Sequence, residues 1–197
     1  MSTSRITASA LALLTLTGLV IRIYLHQEAG KSVLEAFSFL YQFFTIWSNT
    51  LVLVVMTLYA LGRSPHRFAA LMAAVAIMGV GIIFHALLSS PPNQQGLDLL
   101  ANLITHTFVP ILTFLWWAVF QSRYYFGWLD ALAGMVFPAI YCAYALARAE
   151  FSGFYPYPFI DLEKLGPAGL IKSISFISLA FLFLGLILVA VSKIRNR

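Results

Sequence analysis

Apolar positions along this chain gather into six blocks, at Ile6–Leu25, Phe37–Leu61, Phe68–Leu88, Leu99–Phe120, Trp128–Ala147 and Ala168–Ser192. Each is about 20 residues long, the length a helix rising ~1.5 Å per residue needs to cross ~30 Å of hydrocarbon. The pattern predicts an all-α, polytopic membrane bundle of six transmembrane helices. The segments between blocks are short. Gly62-Arg63-Ser64-Pro65 and Ser89-Ser90-Pro91-Pro92-Asn93 are turn-formers that break a helix. The longest connection runs from Arg148 to Pro167 and carries Tyr155-Pro156-Tyr157-Pro158-Phe159. No internal repeat stands out. The first block follows Arg5 in the manner of a signal peptide, but it lacks a small-x-small cleavage site near its end and is interrupted by Arg22, so it reads as a retained helix.

Composition agrees with the pattern. Of 197 residues, 61% are hydrophobic and 10% charged, against about 25% charged in soluble domains. The six blocks leave no room for an independent extramembrane domain, so residues 1–197 read as one transmembrane domain. The net charge of +5 does not point to nucleic acid, because the basic residues sit at block ends, where they set membrane topology. The single cysteine, Cys142, excludes an intramolecular disulfide. With the N-terminus in the cytoplasm, Arg5, Arg63, Arg67, Arg123, Lys193, Arg195 and Arg197 fall inside, and Lys31, Arg148, Lys164 and Lys172 fall outside with Arg22 nearby. The excess inside predicts that both termini are cytoplasmic.

Lipid offers polar side chains no partner, so they should turn to the bundle interior. Counted from the block ends, Thr45 lies ~12 Å and His106 ~10 Å below the outer surface. Arg22, His26 and His85 fall in the last turns of the first and third blocks. Gln42, Thr45 and Asn49 share one helical face, as do Asn102 and His106, and Thr15, Gly18 and Arg22. These faces predict a pocket open toward the outer, non-cytoplasmic leaflet. Pro110 removes the helical donor for the carbonyl of His106, and a kink there would widen the pocket.

Several side chains carry candidate chemistry, each beside a plainer reading. An ionisable His106 inside the membrane is a functional candidate; a neutral histidine bonded to a neighbouring helix fits the same position. Thr45 is a candidate nucleophile with His106 as general base, although threonines also serve as helix-packing residues. Asn102 would orient the imidazole, and Asn49, with Ser48, would donate to an oxyanion; interhelical hydrogen bonding is the alternative for each. Arg22, or His85, would hold a polar or anionic substrate end, against simple snorkelling of Arg22. His26, His85 and His106 together number enough imidazoles for zinc, but they come from three helices without ligand spacing, so no metal and no cofactor is expected. Asp130 suits the start of the fifth helix through the helix dipole. Tyr155, Tyr157 and Trp128 sit at interfacial depth, with the two tyrosines placed to cap the pocket mouth.

Phe44-Thr45-Ile46-Trp47-Ser48-Asn49 and Asn102-Leu103-Ile104-Thr105-His106-Thr107-Phe108-Val109-Pro110, together with the Tyr-Pro segment before the last helix, resemble conserved patches of the androgen-induced membrane threonine hydrolase family and its bacterial six-helix relatives. The resemblance runs along nearly the whole chain in order and spacing. It implies hydrolysis of fatty-acid esters of hydroxy fatty acids, with Thr45 and His106 as the reacting pair. The eukaryotic pattern carries a further histidine where this chain has Leu103, so the substrate can differ. The bacterial branch is closer in pattern, which implies a bacterial inner membrane.

The expectation is therefore an intramembrane lipid-ester hydrolase whose partners are the bilayer and a fatty-acid ester substrate. The alternative is a non-catalytic transporter or lipid-binding membrane protein, which a continuous polar path to the cytoplasm would favour. A zinc hydrolase is a third reading.

Overall fold

The structure, a computed structural model, describes residues 2–88 and 94–196. Every regular element among them is helical: α1 (Thr3–Glu28), α2 (Val33–Leu40), α3 (Phe44–Ala60), α4 (Arg67–Ile83), α5 (Gly96–Leu103), α6 (Val109–Phe120), α7 (Ala133–Ser152) and α8 (Leu162–Arg195). A π-helical turn, Phe84–Leu88, extends α4, and a second, Ile104–Phe108, joins α5 to α6. A 3-10 turn, Trp128–Leu132, leads into α7. Five spans are long and apolar enough to cross a membrane, and six if α2 and α3 count as one broken span. The chain is an all-α bundle with the character of an integral membrane protein. The predicted breaker Ser89–Asn93 lies outside the described residues.

Helix α4 is central, packing on α3, α6, α7 and α8. It buries Ala70, Ala73, Ala74, Ala76, Gly79 and Gly81. Hydrocarbon gives no hydrophobic drive for helix pairing, so close approach of small residues supplies the contact. On the opposite flank α1 lies along α3 and α5. There Gly18 packs so tightly that a Cβ would lie 2.6 Å from Cγ2 of Ile104. Gly81 packs on the same π turn from α4, where a Cβ would lie 3.0 Å from Pro110 and 3.3 Å from the His106 carbonyl oxygen. Two glycines from two helices thus hold the Ile104–Phe108 turn. Gly18→Val should force Ile104 aside and cost about 1–3 kcal/mol of stability, read as a lower unfolding midpoint in detergent. Gly81→Ala should cost less, and a Gly18→Val protein as stable as wild type would show that α1 does not clamp the turn.

Three boundaries differ from the sequence reading. The block Phe37–Leu61 is not one helix: α2 and α3 meet at 102°. α2 starts on a capping box, in which the Ser32 hydroxyl accepts from the Glu35 amide and the Glu35 carboxylate accepts from the Ser32 amide. At the bend the carbonyl of Tyr41 accepts from Trp47 Nε1 at 2.8 Å, and that of Gln42 accepts from the Tyr141 hydroxyl at 2.6 Å. Side chains from elsewhere therefore satisfy the backbone that a straight helix would have paired, as the membrane interior requires. The fifth and sixth spans are also longer than their apolar blocks. α7 runs to Ser152 and stops at Gly153 (φ 67°), whose left-handed conformation closes the helix. α8 begins at Leu162, with a break at Gly166 (φ 64°) ahead of Pro167. The connection between them is a short strap around Tyr155-Pro156-Tyr157.

Candidate functional site

Thr45 and His106 meet. Thr45 Oγ1 lies 3.2 Å from His106 Nε2, bringing the first turn of α3 against the π turn. The rest of the imidazole is fixed by its neighbours. Nδ1 lies 3.2 Å from the carbonyl oxygen of Asn102, a group that only accepts, so Nδ1 carries the proton. Thr105 Oγ1, 3.1 Å from Nδ1, donates its own proton to the Ala101 carbonyl at 2.8 Å and offers Nδ1 a lone pair. Nε2 is then unprotonated and accepts from the Thr45 hydroxyl, the tautomer a general base requires. Phe84 stacks on the ring, with centroids 3.9 Å apart and planes at 22°. The π turn matters here: with Pro110 lacking an N–H, the wider turn carries His106 toward α3, and such turns recur at functional sites.

Thr45 is the second residue of α3. The depth expected for it assumed a continuous helix from Phe37, so it sits at a helix start rather than two turns inside one. Gln42 leaves the predicted face for the same reason. It falls in the bend, and its side-chain amide is 3.4 Å from the Ser38 carbonyl.

Of the other candidates, some sit where expected and others are engaged elsewhere. Asn49 donates its amide to the carbonyls of Thr45 (2.8 Å) and Thr105 (3.3 Å). The amide therefore ties α3 to the π turn and is not free for an oxyanion. Ser48 is fully buried and does not line the cavity beside Thr45. Asn102 orients His106 through its backbone carbonyl, while its side-chain amide donates to Gln94 Oε1 at 2.6 Å. Arg22 forms an ion pair with Asp98 at 2.6 Å, a half-buried partnership that the sequence reading missed. An Arg22 so neutralised is not a free anion clamp. His85 is exposed, and its Nε2 lies 3.0 Å from Thr107 Oγ1, away from Thr45. His26 packs at a tilt on Phe39, with centroids 5.0 Å apart and planes at 58°, and no group of three metal-ligating side chains converges among the described residues. Asp130 caps the Trp128–Leu132 turn by accepting from the Gly127 amide at 2.9 Å, with Arg67 Nη2 at 3.7 Å. Tyr155 is half-buried and does not line the cavity, whereas Tyr157 is buried and does.

That cavity, ≈ 370 Å³, lies among α4, α7, α8 and the start of α3. Its wall is apolar apart from a few groups, including Thr45, Tyr141, Cys142, Tyr157 and Ser178. A second cavity of ≈ 330 Å³ touches His106 from the other side, between α4 and α6. The Thr45–His106 pair stands between the two. Set against protein-family models, curated proteins and solved structures, the chain matches none. The site therefore rests on its own geometry: a hydroxyl bonded to an oriented imidazole, one flank opening on space that suits hydrocarbon.

Proposed function

We propose that the protein is an intramembrane lipid-ester hydrolase with Thr45 as nucleophile and His106 as general base, acting on fatty-acid esters such as those of hydroxy fatty acids. The observation that carries this reading is the 3.2 Å contact between Thr45 Oγ1 and an imidazole whose other nitrogen is held by the Asn102 carbonyl. Nucleophile, base and orienting acceptor are the parts of a hydrolytic triad, here with a carbonyl in place of a carboxylate. Thr45 Oγ1 attacks the ester carbonyl carbon as its proton passes to His106 Nε2. The tetrahedral intermediate collapses, the C–O bond to the alcohol breaks, and His106 returns the proton to the departing alkoxide. Water, activated by the same nitrogen, then cleaves the acyl-threonine to free acid. The acyl chain lies in the ≈ 370 Å³ cavity beside Thr45. The alcohol leaves on the His106 side, where the second cavity begins. The sequence resemblance of the Phe44–Asn49 and Asn102–Pro110 segments to membrane threonine hydrolases supports the same pair.

The test is release of fatty acid from lipid esters by the purified protein, with labelling by an alkyl fluorophosphonate mapped by mass spectrometry. Labelling at Thr45 is expected; hydrolysis that persists undiminished in Thr45→Ala rules the mechanism out. The apolar cavity alone would equally suit a lipid-binding protein without chemistry. In that case lipid co-purifies with the protein but no ester is turned over.

We further propose that both termini are cytoplasmic, that the pair faces the non-cytoplasmic leaflet, and that the membrane is a bacterial inner membrane. One end of the bundle gathers Arg5 on the Ala60 carbonyl, Arg67 on the Tyr125 carbonyl and Arg195 on the Ala118 carbonyl. That basic end fits the cytoplasmic face. In a Cys142→Ser background, cysteines introduced at Ser64 and Ser152 should react with a membrane-impermeant maleimide from the inside and the outside respectively. The opposite pattern would invert the topology.

A further inference from the structure

The strap between α7 and α8 returns Tyr157 into the bundle. Its ring is 8% exposed. It stacks parallel on Phe159 (5.0 Å, 5°) and packs edge-on against Phe43 at 6.2 Å. These contacts bring the phenol to the wall of the cavity that Phe44, Thr45 and Tyr141 also line, at the first turn of α3. That turn has no side-chain cap. The Ile46 and Trp47 amides turn back to the Phe43 carbonyl, whereas the first amides of a helix have no acceptor within it. The neighbouring Tyr141 hydroxyl is committed to the Gln42 carbonyl. Among the described residues the Tyr157 hydroxyl donates to no carbonyl or carboxylate, and this buried tyrosine borders the same cavity as the start of α3 and Thr45.

We propose that the Tyr157 hydroxyl and the Thr45 amide form the oxyanion site of this enzyme. The inference rests on Thr45 being the nucleophile. As Thr45 Oγ1 bonds to the carbonyl carbon, the carbonyl π electrons move onto oxygen. Tyr157 and the Thr45 amide donate hydrogen bonds to that oxygen without transferring a proton, and release it when the carbonyl reforms. The positive end of the α3 dipole adds to the stabilisation. This role replaces the one expected of Asn49, whose amide is already engaged.

The experiment compares wild-type protein, Tyr157→Phe and Thr45→Ala on one long-chain ester in detergent, with unfolding midpoints measured alongside. Phenylalanine keeps the stack on Phe159 and the edge contact with Phe43. Tyr157→Phe is expected to lower kcat about 100-fold, with KM and midpoint near wild type. Replacing Tyr157 by a difluorotyrosine, a more acidic donor of nearly the same shape, should keep kcat well above the Phe variant. A Tyr157→Phe protein within threefold of wild-type kcat, alongside an inactive Thr45→Ala, overturns the oxyanion role and leaves the hydrolase reading standing. A raised KM with a lowered midpoint assigns Tyr157 a structural role and also overturns it. An active Thr45→Ala overturns the hydrolase reading itself.

Discussion

Thr45→Ala is expected to reduce ester turnover by on the order of 10⁴-fold or more, with the bundle still folded. His106→Ala should do nearly the same, and the double variant should be little worse than either alone, because residues that act as one unit are not additive. The folding cost is small by comparison. The Thr45–His106 hydrogen bond contributes about 0.5–1.5 kcal/mol, and neither side chain is fully buried. Thr45→Ser keeps the hydroxyl and should retain measurable turnover. His106→Gln removes the base but keeps a polar partner for Thr45, and should be as inactive as His106→Ala. Initial rates with one ester, together with circular dichroism of each variant, check the set. Additive losses in the double variant would mean that the two residues work separately.

The second large effect concerns chain length. Cys142 lines the ≈ 370 Å³ cavity on α7, close to Pro138 and Tyr141. Cys142→Trp places an indole where hydrocarbon would lie. Each methylene kept from burial forfeits about 0.8 kcal/mol, so excluding four of them costs about 3 kcal/mol, or roughly 100-fold in kcat/KM. Long-chain esters should lose that factor, while acetyl and butyryl esters keep wild-type rates. A uniform loss across chain lengths would place the acyl group elsewhere. As the single cysteine in the chain, Cys142 also gives a direct readout: alkylation by a small apolar maleimide should be slowed by bound fatty acid.

How much of this could be read in the sequence depended on whether the cause was local. Span lengths follow from runs of apolar residues, so the bundle was legible. Pro110 removes a donor at a known offset, which announced a distortion at His106, and the structure takes it up as a π turn. The break between α2 and α3 had no such mark: Tyr41-Gln42-Phe43 contains neither glycine nor proline. What stabilises it is Trp47 on the Tyr41 carbonyl and Tyr141, 99 residues away from Gln42, on the Gln42 carbonyl. Arg22 looked available because Asp98, 76 residues further on, sits outside any motif. Asn49 looked free because nothing in the spacing says which carbonyls an amide will meet. Tyr157 reads as an interfacial aromatic at the pocket mouth, and its burial is not legible because the Tyr-Pro strap has no period from which burial can be inferred. Thr45 and His106 pair by depth in the sequence even though α3 starts later than the apolar block does. The two lie on helices that run together in the same sense, so an error in one boundary moved the threonine along the axis without turning it off the shared face.

The widened turn that holds His106 has a genetic corollary. A π turn is an ordinary helix with one residue too many, and each residue of an α-helix advances it by about 100°. Deleting a residue of this turn other than His106 would let α5 continue into α6 with the α-helical advance, apart from the one hydrogen bond that Pro110 cannot give, at a similar hydrophobic length still suited to insertion. The imidazole would then swing by roughly a quarter of a revolution away from the threonine. If the protein is the hydrolase proposed, a single-codon deletion separates its assembly from ester turnover: the deletion variant should insert and fold yet hydrolyse no ester.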